Sequence, residues 1–132
     1  FLAAVRVAYA QAFGEEDRAA YPLLRMKVGP AFMASLRRLE GLGADKVVQV
    51  CAQVAANRAR EVPGREVHPL HTGPGGSPQR IRARDKALAW RCALQDGTAS
   101  ARRLHWWQIP AEGGAIVEFA QVGVHDDEGI AE

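Results

Sequence analysis

Two neighbouring strands are predicted by the stretches RRLHWWQI, residues 102–109, and AIVEFAQVGV, residues 115–124. Both stretches are rich in aromatic, aliphatic and β-branched residues, which favour a pleated sheet. The turn residues Glu112-Gly113-Gly114 separate them. A short Gly-containing connection between two strand patterns predicts an antiparallel pair.

A third strand is predicted for residues 86–95, which precede this pair. Leu88, Trp90, Cys92 and Leu94 alternate there with smaller or charged residues, the period of two expected of a strand. Asp96-Gly97 follows as a turn signal. With a shorter strand at residues 81–84, the sequence predicts an antiparallel β-meander of three or four strands.

The N-terminal half of the chain carries helical patterns instead. Apolar residues recur every three or four positions in residues 2–13, 32–39 and 44–57, as on one face of a helix. Gly41 and Gly43 separate the last two patterns, which predicts an antiparallel helix hairpin. Helices followed by strands predict an α+β fold, with the hairpin packed on the meander.

Residues 60–80 separate the helices from the strands. They contain eight Pro and Gly residues, and Gly73-Pro74-Gly75-Gly76 lacks the Lys-Ser/Thr ending of a phosphate-binding P-loop. We therefore predict a connecting loop here. The predicted organisation is a helical extension over residues 1–29 and one α+β domain over residues 30–132.

Composition is typical of a soluble globular protein, with 132 residues, 48% hydrophobic and 24% charged. No apolar run approaches the ~20 residues of a membrane span. Cys51 and Cys92 lack CxxC spacing, so we predict buried reduced thiols and a cytoplasmic location. Since the first residue is Phe1 rather than Met, we expect the natural chain to begin upstream.

Charge is unevenly distributed along the chain. Residues 60–107 contain nine basic and four acidic residues, whereas residues 108–132 contain six acidic and no basic ones. A basic middle favours contact with a polyanion. The acidic tail either folds back on that surface or only solubilises the chain. The candidate RNA-binding residues of the basic region are Arg80, Arg82, Arg84, Lys86, Arg102 and Trp106.

Four short stretches resemble the RelE/ParE toxin superfamily over about residues 30–127. They are Val67-His68-Pro69-Leu70, Ala89-Trp90-Arg91, Arg103-Leu104-His105-Trp106 and Val122-Gly123-Val124-His125. The resemblance implies a helix hairpin on a meander. It also implies a ribosome-dependent endoribonuclease that is neutralised by an antitoxin protein. No spacing of the histidines and acidic residues is diagnostic of metal ligands, so no metal or cofactor is predicted.

The resemblance also implies roles for individual residues. Cleavage of RNA by a ribose 2′-hydroxyl needs an acid, a base and cations near the phosphate. His125 matches the family's terminal histidine, an acid or base, and Arg103 its phosphate-stabilising arginine. Arg91 matches a second cation, and His68 stands near the general-base carboxylate of one branch. Asp126 stands where the family often has a supporting tyrosine.

Other interpretations of the same residues stay open. The charged residues have structural roles open to them as well. His125 is able to pair with Asp127, and Arg103 is able to pair with Glu118 across adjacent strands. Trp106 and Trp107 point to opposite faces of the sheet, so one belongs to the core and the other is able to stack on a base or anchor a partner. The alternative functions are a non-catalytic gyrase-binding toxin and a protein-interaction domain.

Overall fold

The computed structural model describes residues 1–39, 42–95, 101–124 and 129–132. Four α-helices precede most of the strands: α1 (Leu2–Ala12), α2 (Glu15–Ala20), α3 (Phe32–Arg37) and α4 (Ala44–Ala55). A 3₁₀ turn follows at Ala59–Glu61. None of the described helices is long and apolar enough to cross a membrane.

Six strands form one mixed sheet, so the predicted α+β class is confirmed. The strands are β1 (Arg25–Val28), β2 (His68–Pro69), β3 (Ile81–Arg82), β4 (Ala87–Ala93), β5 (Arg102–Ile109) and β6 (Ile116–Val124). Their order is β1-β6-β5-β4-β2, with β3 paired to β4. The consecutive strands β4, β5 and β6 are antiparallel, as predicted.

Strand β1 departs from the sequence-based expectation. Residues 1–29 were expected to be a helical extension, yet Arg25–Val28 pair in parallel with Ile116–Phe119 of β6. The chain then turns away at Gly29, whose N–H donates to the Phe119 carbonyl at 2.9 Å. A Cβ at Gly29 would lie 3.1 Å from that oxygen. Glycine therefore permits the close approach that links β1 to α3.

Helices α1, α3 and α4 lie on one side of the sheet, and the main core fills the space between the two layers. Val47, Val50, Cys51 and Val54 of α4 are buried there, which confirms the predicted apolar stripe. Helix α4 packs mainly against α1, whereas α3 packs on β6. The predicted pairing of α3 with α4 is therefore not the main helix contact.

The position of α3 is set by side chains that reach the sheet. The Phe32 and Phe119 rings lie 6.0 Å apart. Ser35 Oγ donates to the Phe32 carbonyl at 2.7 Å and accepts from the Val122 N–H at 3.0 Å. These contacts attach the six-residue helix to β6, because a helix this short is marginal alone.

A second, smaller apolar cluster lies on the opposite side of the sheet, which we call the open face. It contains Leu70, Ala87, Ala89, Trp107, Ile109 and Ala120. Trp106 belongs to the helix-side core. The two tryptophans therefore point to opposite faces, as predicted, but both are buried. In β6, Ala120 is the extra residue of a β-bulge, since Phe119 and Gln121 lie opposite the consecutive residues Trp106 and His105.

Cys51 and Cys92 are free and buried in the helix-side core, as the sequence predicted. Burial raises the pKa of the Cys51 thiol and raises that of Cys92 to about 12. Because the thiolate is the reactive form, we expect neither thiol to react with Ellman's reagent in the folded protein at pH 8. Both should react at once in urea. Rapid native labelling of either thiol would contradict this burial.

Candidate functional site

Three of the four predicted catalytic residues lie together on the open face. His68 of β2 stands opposite Arg91 of β4, and Arg91 stands opposite His105 of β5. Arg103 lies two residues before His105, so it shares the same face and is a diagonal neighbour of Arg91. We call His68, Arg91 and Arg103 the cationic cluster.

The segment that carries His68 is fixed to β4 by Arg65. The N–H of Ala93 donates to the Arg65 carbonyl at 2.6 Å, and Arg65 Nη1 donates to the Ala93 carbonyl at 3.0 Å. Arg65 Nε also donates to Gln53 Oε1 of α4 at 3.0 Å. A buried arginine thus holds the chain just before β2 against both the sheet and the helix layer.

Direct contact joins the His68 ring to Arg91. Arg91 Nε lies 3.1 Å from His68 Nε2 and 3.4 Å from Nδ1. A guanidinium only donates hydrogen bonds, so the imidazole is the acceptor. His68 Nδ1 lies 3.3 Å from the Pro69 carbonyl. One tautomer satisfies both contacts, with the proton on Nδ1 and the lone pair of Nε2 facing Arg91.

The surroundings of His68 favour its neutral form. Burial lowers the pKa of His68 from the ordinary 6.5, and the positive charges of Arg91 and Arg103 lower it further. The Pro69 carbonyl and Glu66 act in the opposite direction and only partly offset this. A neutral imidazole beside two guanidinium groups is suited to accept a proton near an anion.

Arg103 does not form the cross-strand pair with Glu118 that the sequence left open as an alternative. It lies opposite Ala93 and Gly123, whereas Glu118 lies opposite Trp107. The Arg103 side chain is largely buried, and its Nη2 lies 3.8 Å from Glu66 Oε2, whose side chain is 63% exposed. An exposed partner at this distance binds weakly, so a phosphate is able to compete for Arg103.

Sequence reasoning missed Glu66 as a member of this site. It lies two residues before His68, but its φ of +50° is left-handed, so the alternation of an extended segment does not account for its position. No local signal in the sequence indicated it. A left-handed conformation is costly for a residue with a Cβ.

Two of the predicted RNA-binding residues are engaged inside the protein. Arg82 is 2% exposed and binds Asp85 and Glu118, each at 2.7 Å. Its guanidinium also lies 5.0 Å from the centre of the Trp107 ring. Trp106 is 4% exposed within the helix-side core, so its ring is not presented to a base.

The other four predicted RNA-binding residues are at least partly exposed. Arg84 and Lys86 are exposed beside the β3–β4 turn, and Arg80 and Arg102 are half-buried. Arg84 Nη2 donates to the Glu132 main-chain oxygen at 2.9 Å. Of these, Arg102 lies next to Arg103 along β5, and the others border the β3–β4 connection.

Residues 129–132 return to the open face, which is the first of the two alternatives that the sequence left open for the tail. Ile130 packs against the open-face apolar cluster. His125, the fourth predicted catalytic residue, lies outside the described residues, as do Asp126, Asp127 and the predicted turn Asp96-Gly97. Within the described ranges, no group of three or more His, Cys, Asp or Glu side chains is placed to hold a metal ion.

No protein-family model, curated protein or solved structure matches the chain. A neutral, partly buried imidazole and two guanidinium groups meet on one sheet face. This arrangement is suited to bind a phosphodiester and to accept a proton from a hydroxyl beside it.

Proposed function

We propose that this chain is a RelE-like toxin that cleaves messenger RNA on the ribosome at the cationic cluster. The observation that carries the proposal is the convergence of His68, Arg91 and Arg103 on one face of the sheet. These residues come from three strands, β2, β4 and β5, and the sequence resemblance implies a catalytic role for each of them.

In the proposed reaction, the RNA phosphate binds between Arg91 and Arg103. Its oxygens compete with Glu66 for Arg103 and draw the Arg91 guanidinium away from His68 Nε2. His68 Nε2 then accepts the proton of the ribose 2′-hydroxyl. The 2′-oxygen forms a bond to phosphorus as the bond to the 5′-oxygen breaks, leaving a 2′,3′-cyclic phosphate.

The two arginines stabilise the charge that develops on the phosphorane oxygens. The leaving 5′-oxygen needs a proton, and His125 is the residue proposed to supply it, on the strength of the sequence resemblance alone. The same resemblance supports the ribosome, an antitoxin protein and a cytoplasmic setting as parts of the proposal.

The proposal is tested by expressing the chain in bacteria and following growth and messenger RNA integrity. We expect growth arrest and cleaved messenger RNA with the native sequence. Arg103→Gln should relieve the arrest and slow cleavage in a translation extract by about 100-fold, the usual cost of removing one donor to a transition-state anion. Arg6→Gln is the matched control, because Arg6 is exposed on α1. Equal toxicity of both variants would refute the nuclease.

A non-catalytic binding domain is the second candidate. It is favoured by the burial of Arg82 and Trp106, which removes part of the predicted RNA surface. Purified protein that blocks gyrase supercoiling while leaving messenger RNA intact in a translation extract would support this candidate over the nuclease.

A further inference from the structure

The open face holds residues 129–132 through their main-chain atoms. Gln121 Nε2 donates to the Gly129 carbonyl, and Gln121 Oε1 accepts from the Ala131 N–H, each at 2.8 Å. The Trp107 indole N–H donates to the Ala131 carbonyl at 2.8 Å. His105 Nδ1 also lies 3.0 Å from the Gly129 carbonyl.

The last residue of this segment is bound in the same way. Arg84 Nη2 and Arg82 Nη1 donate to the Glu132 main-chain oxygen at 2.9 and 3.3 Å. Side chains from β5, β6 and the β3–β4 region therefore converge on four successive residues. All of these contacts recognise groups that any extended peptide presents, except proline at the position of the Ala131 N–H.

One side chain of the segment supplies an apolar contact. Ile130 is half-buried against the open-face cluster, in which Trp107 is the largest member. Gly129 and Ala131, its neighbours, are small. The segment thus presents one aliphatic residue between two small ones, followed by the acidic Glu132 next to the exposed Arg84.

We propose that the open face is a binding site for an extended peptide, and that residues 129–132 occupy it in cis. The site is built by Trp107, Gln121, His105, Arg82 and Arg84. Its ligand is an extended peptide with an aliphatic residue between two small residues. This inference goes beyond the proposed nuclease and needs no RNA.

The occupant is exchangeable because it is only four residues long. Its main-chain hydrogen bonds are of a kind that water replaces and one of its side chains packs on the sheet, so it opens at low cost compared with unfolding of the sheet beneath it. Its attachment to the same chain provides an effective concentration on the order of 1 mM. A free peptide should therefore compete only when the attached segment has been weakened.

The test uses the full-length chain labelled with ¹⁵N and follows the three tryptophan indole N–H resonances. We expect Ile130→Asp to shift the Trp107 resonance, because its hydrogen bond to Ala131 is released. The Trp90 and Trp106 resonances should stay in place and report an intact fold. Ile130→Ala serves as a milder variant with the same readout if the first variant is poorly folded.

A synthetic peptide of residues 125–132 is then added to the variant. We expect the Trp107 resonance to return towards its native position as the peptide is raised to about 10 mM, ten times the effective concentration of the attached segment. The same peptide with Ile130→Asp should not restore it. An unchanged Trp107 resonance in both variants, or a shifted resonance that the native peptide leaves unmoved at this concentration, would overturn the proposal.

Discussion

Replacing Arg82 with alanine is expected to lower the free energy of unfolding by about 3–5 kcal/mol. The Arg82 guanidinium bridges Asp85 and Glu118, and it is 2% exposed. Its removal leaves the buried Glu118 carboxylate without its cation, and an uncompensated buried charge is costly. Urea denaturation followed by circular dichroism measures the loss.

Two further variants separate this effect from a general sensitivity to lost arginines. Arg58→Ala removes an ion pair with Glu61, which is 57% exposed, and a cation–π contact with Tyr21 at 4.1 Å, so it should cost about 1 kcal/mol. The double variant Arg82→Met, Glu118→Leu should recover most of the lost stability, because it removes both charges together. A single Arg82→Ala variant as stable as Arg58→Ala would contradict the assignment.

The ion pair between Arg82 and Asp85 predicts that the stability of the fold depends on pH in acid. The hydrogen bonds from Arg82 lower the pKa of Asp85 from the ordinary 3.8. A carboxyl with a lowered pKa in the folded state stabilises the fold above its unfolded pKa. This contribution is therefore complete above pH 3.8 and is lost as the pH falls through the lower folded value.

Replacing His68 with glutamine is expected to reduce RNA cleavage by about 10²–10⁴-fold, the range typical of a lost acid–base group. Glutamine keeps a polar side chain beside Arg91 but cannot accept the hydroxyl proton. Cleavage rates in a translation extract measure the loss. His71→Gln is the matched control, because the His71 ring is exposed and bonds within its own loop, to the Ser77 carbonyl at 2.8 Å.

The pH profile gives this prediction a second readout. Because burial, Arg91 and Arg103 lower the pKa of His68, the base stays neutral and active to pH values below 6.5. The acid limb of the cleavage rate should therefore lie below pH 6.5 and disappear in His68→Gln. The free energy of unfolding should also fall as the pH drops below 6.5, because the unfolded chain takes up the proton on His68 at a higher pH than the folded chain does. A limb above pH 6.5 would exclude His68 as the base.

The strands β5 and β6 and the buried face of α4 were predictable from the sequence because their signals are local. Residues 102–109 were predicted as a strand with the bounds that the structure has. Val47, Val50, Cys51 and Val54 show the helical period along one segment. Strand β1 was missed because Arg25–Val28 is only four residues long and its partner lies far along the chain.

Each member of the cationic cluster was predicted from the sequence, but the contact that brings His68 to the two arginines was not. The alternation of strands places Arg91 and Arg103 on one face, which the sequence shows. The register between β2 and β4, which brings His68 to Arg91, depends on Arg65 and its contacts with Ala93. Such a contact joins segments separated by a long loop, so no local pattern encodes it.

The sequence by itself determined the α+β class, the antiparallel β4-β5-β6 order and the identity of the arginines and histidine that meet on the open face. Only the tertiary structure decided which of the arginines are available to bind a ligand. Arg82 and Arg103 look alike in the sequence, yet Arg82 is enclosed with Asp85 and Glu118 while Arg103 faces an exposed carboxylate. The reason is physical: hydrophobic period is a property of neighbouring residues, whereas charge pairing and desolvation depend on which distant strands come to lie side by side.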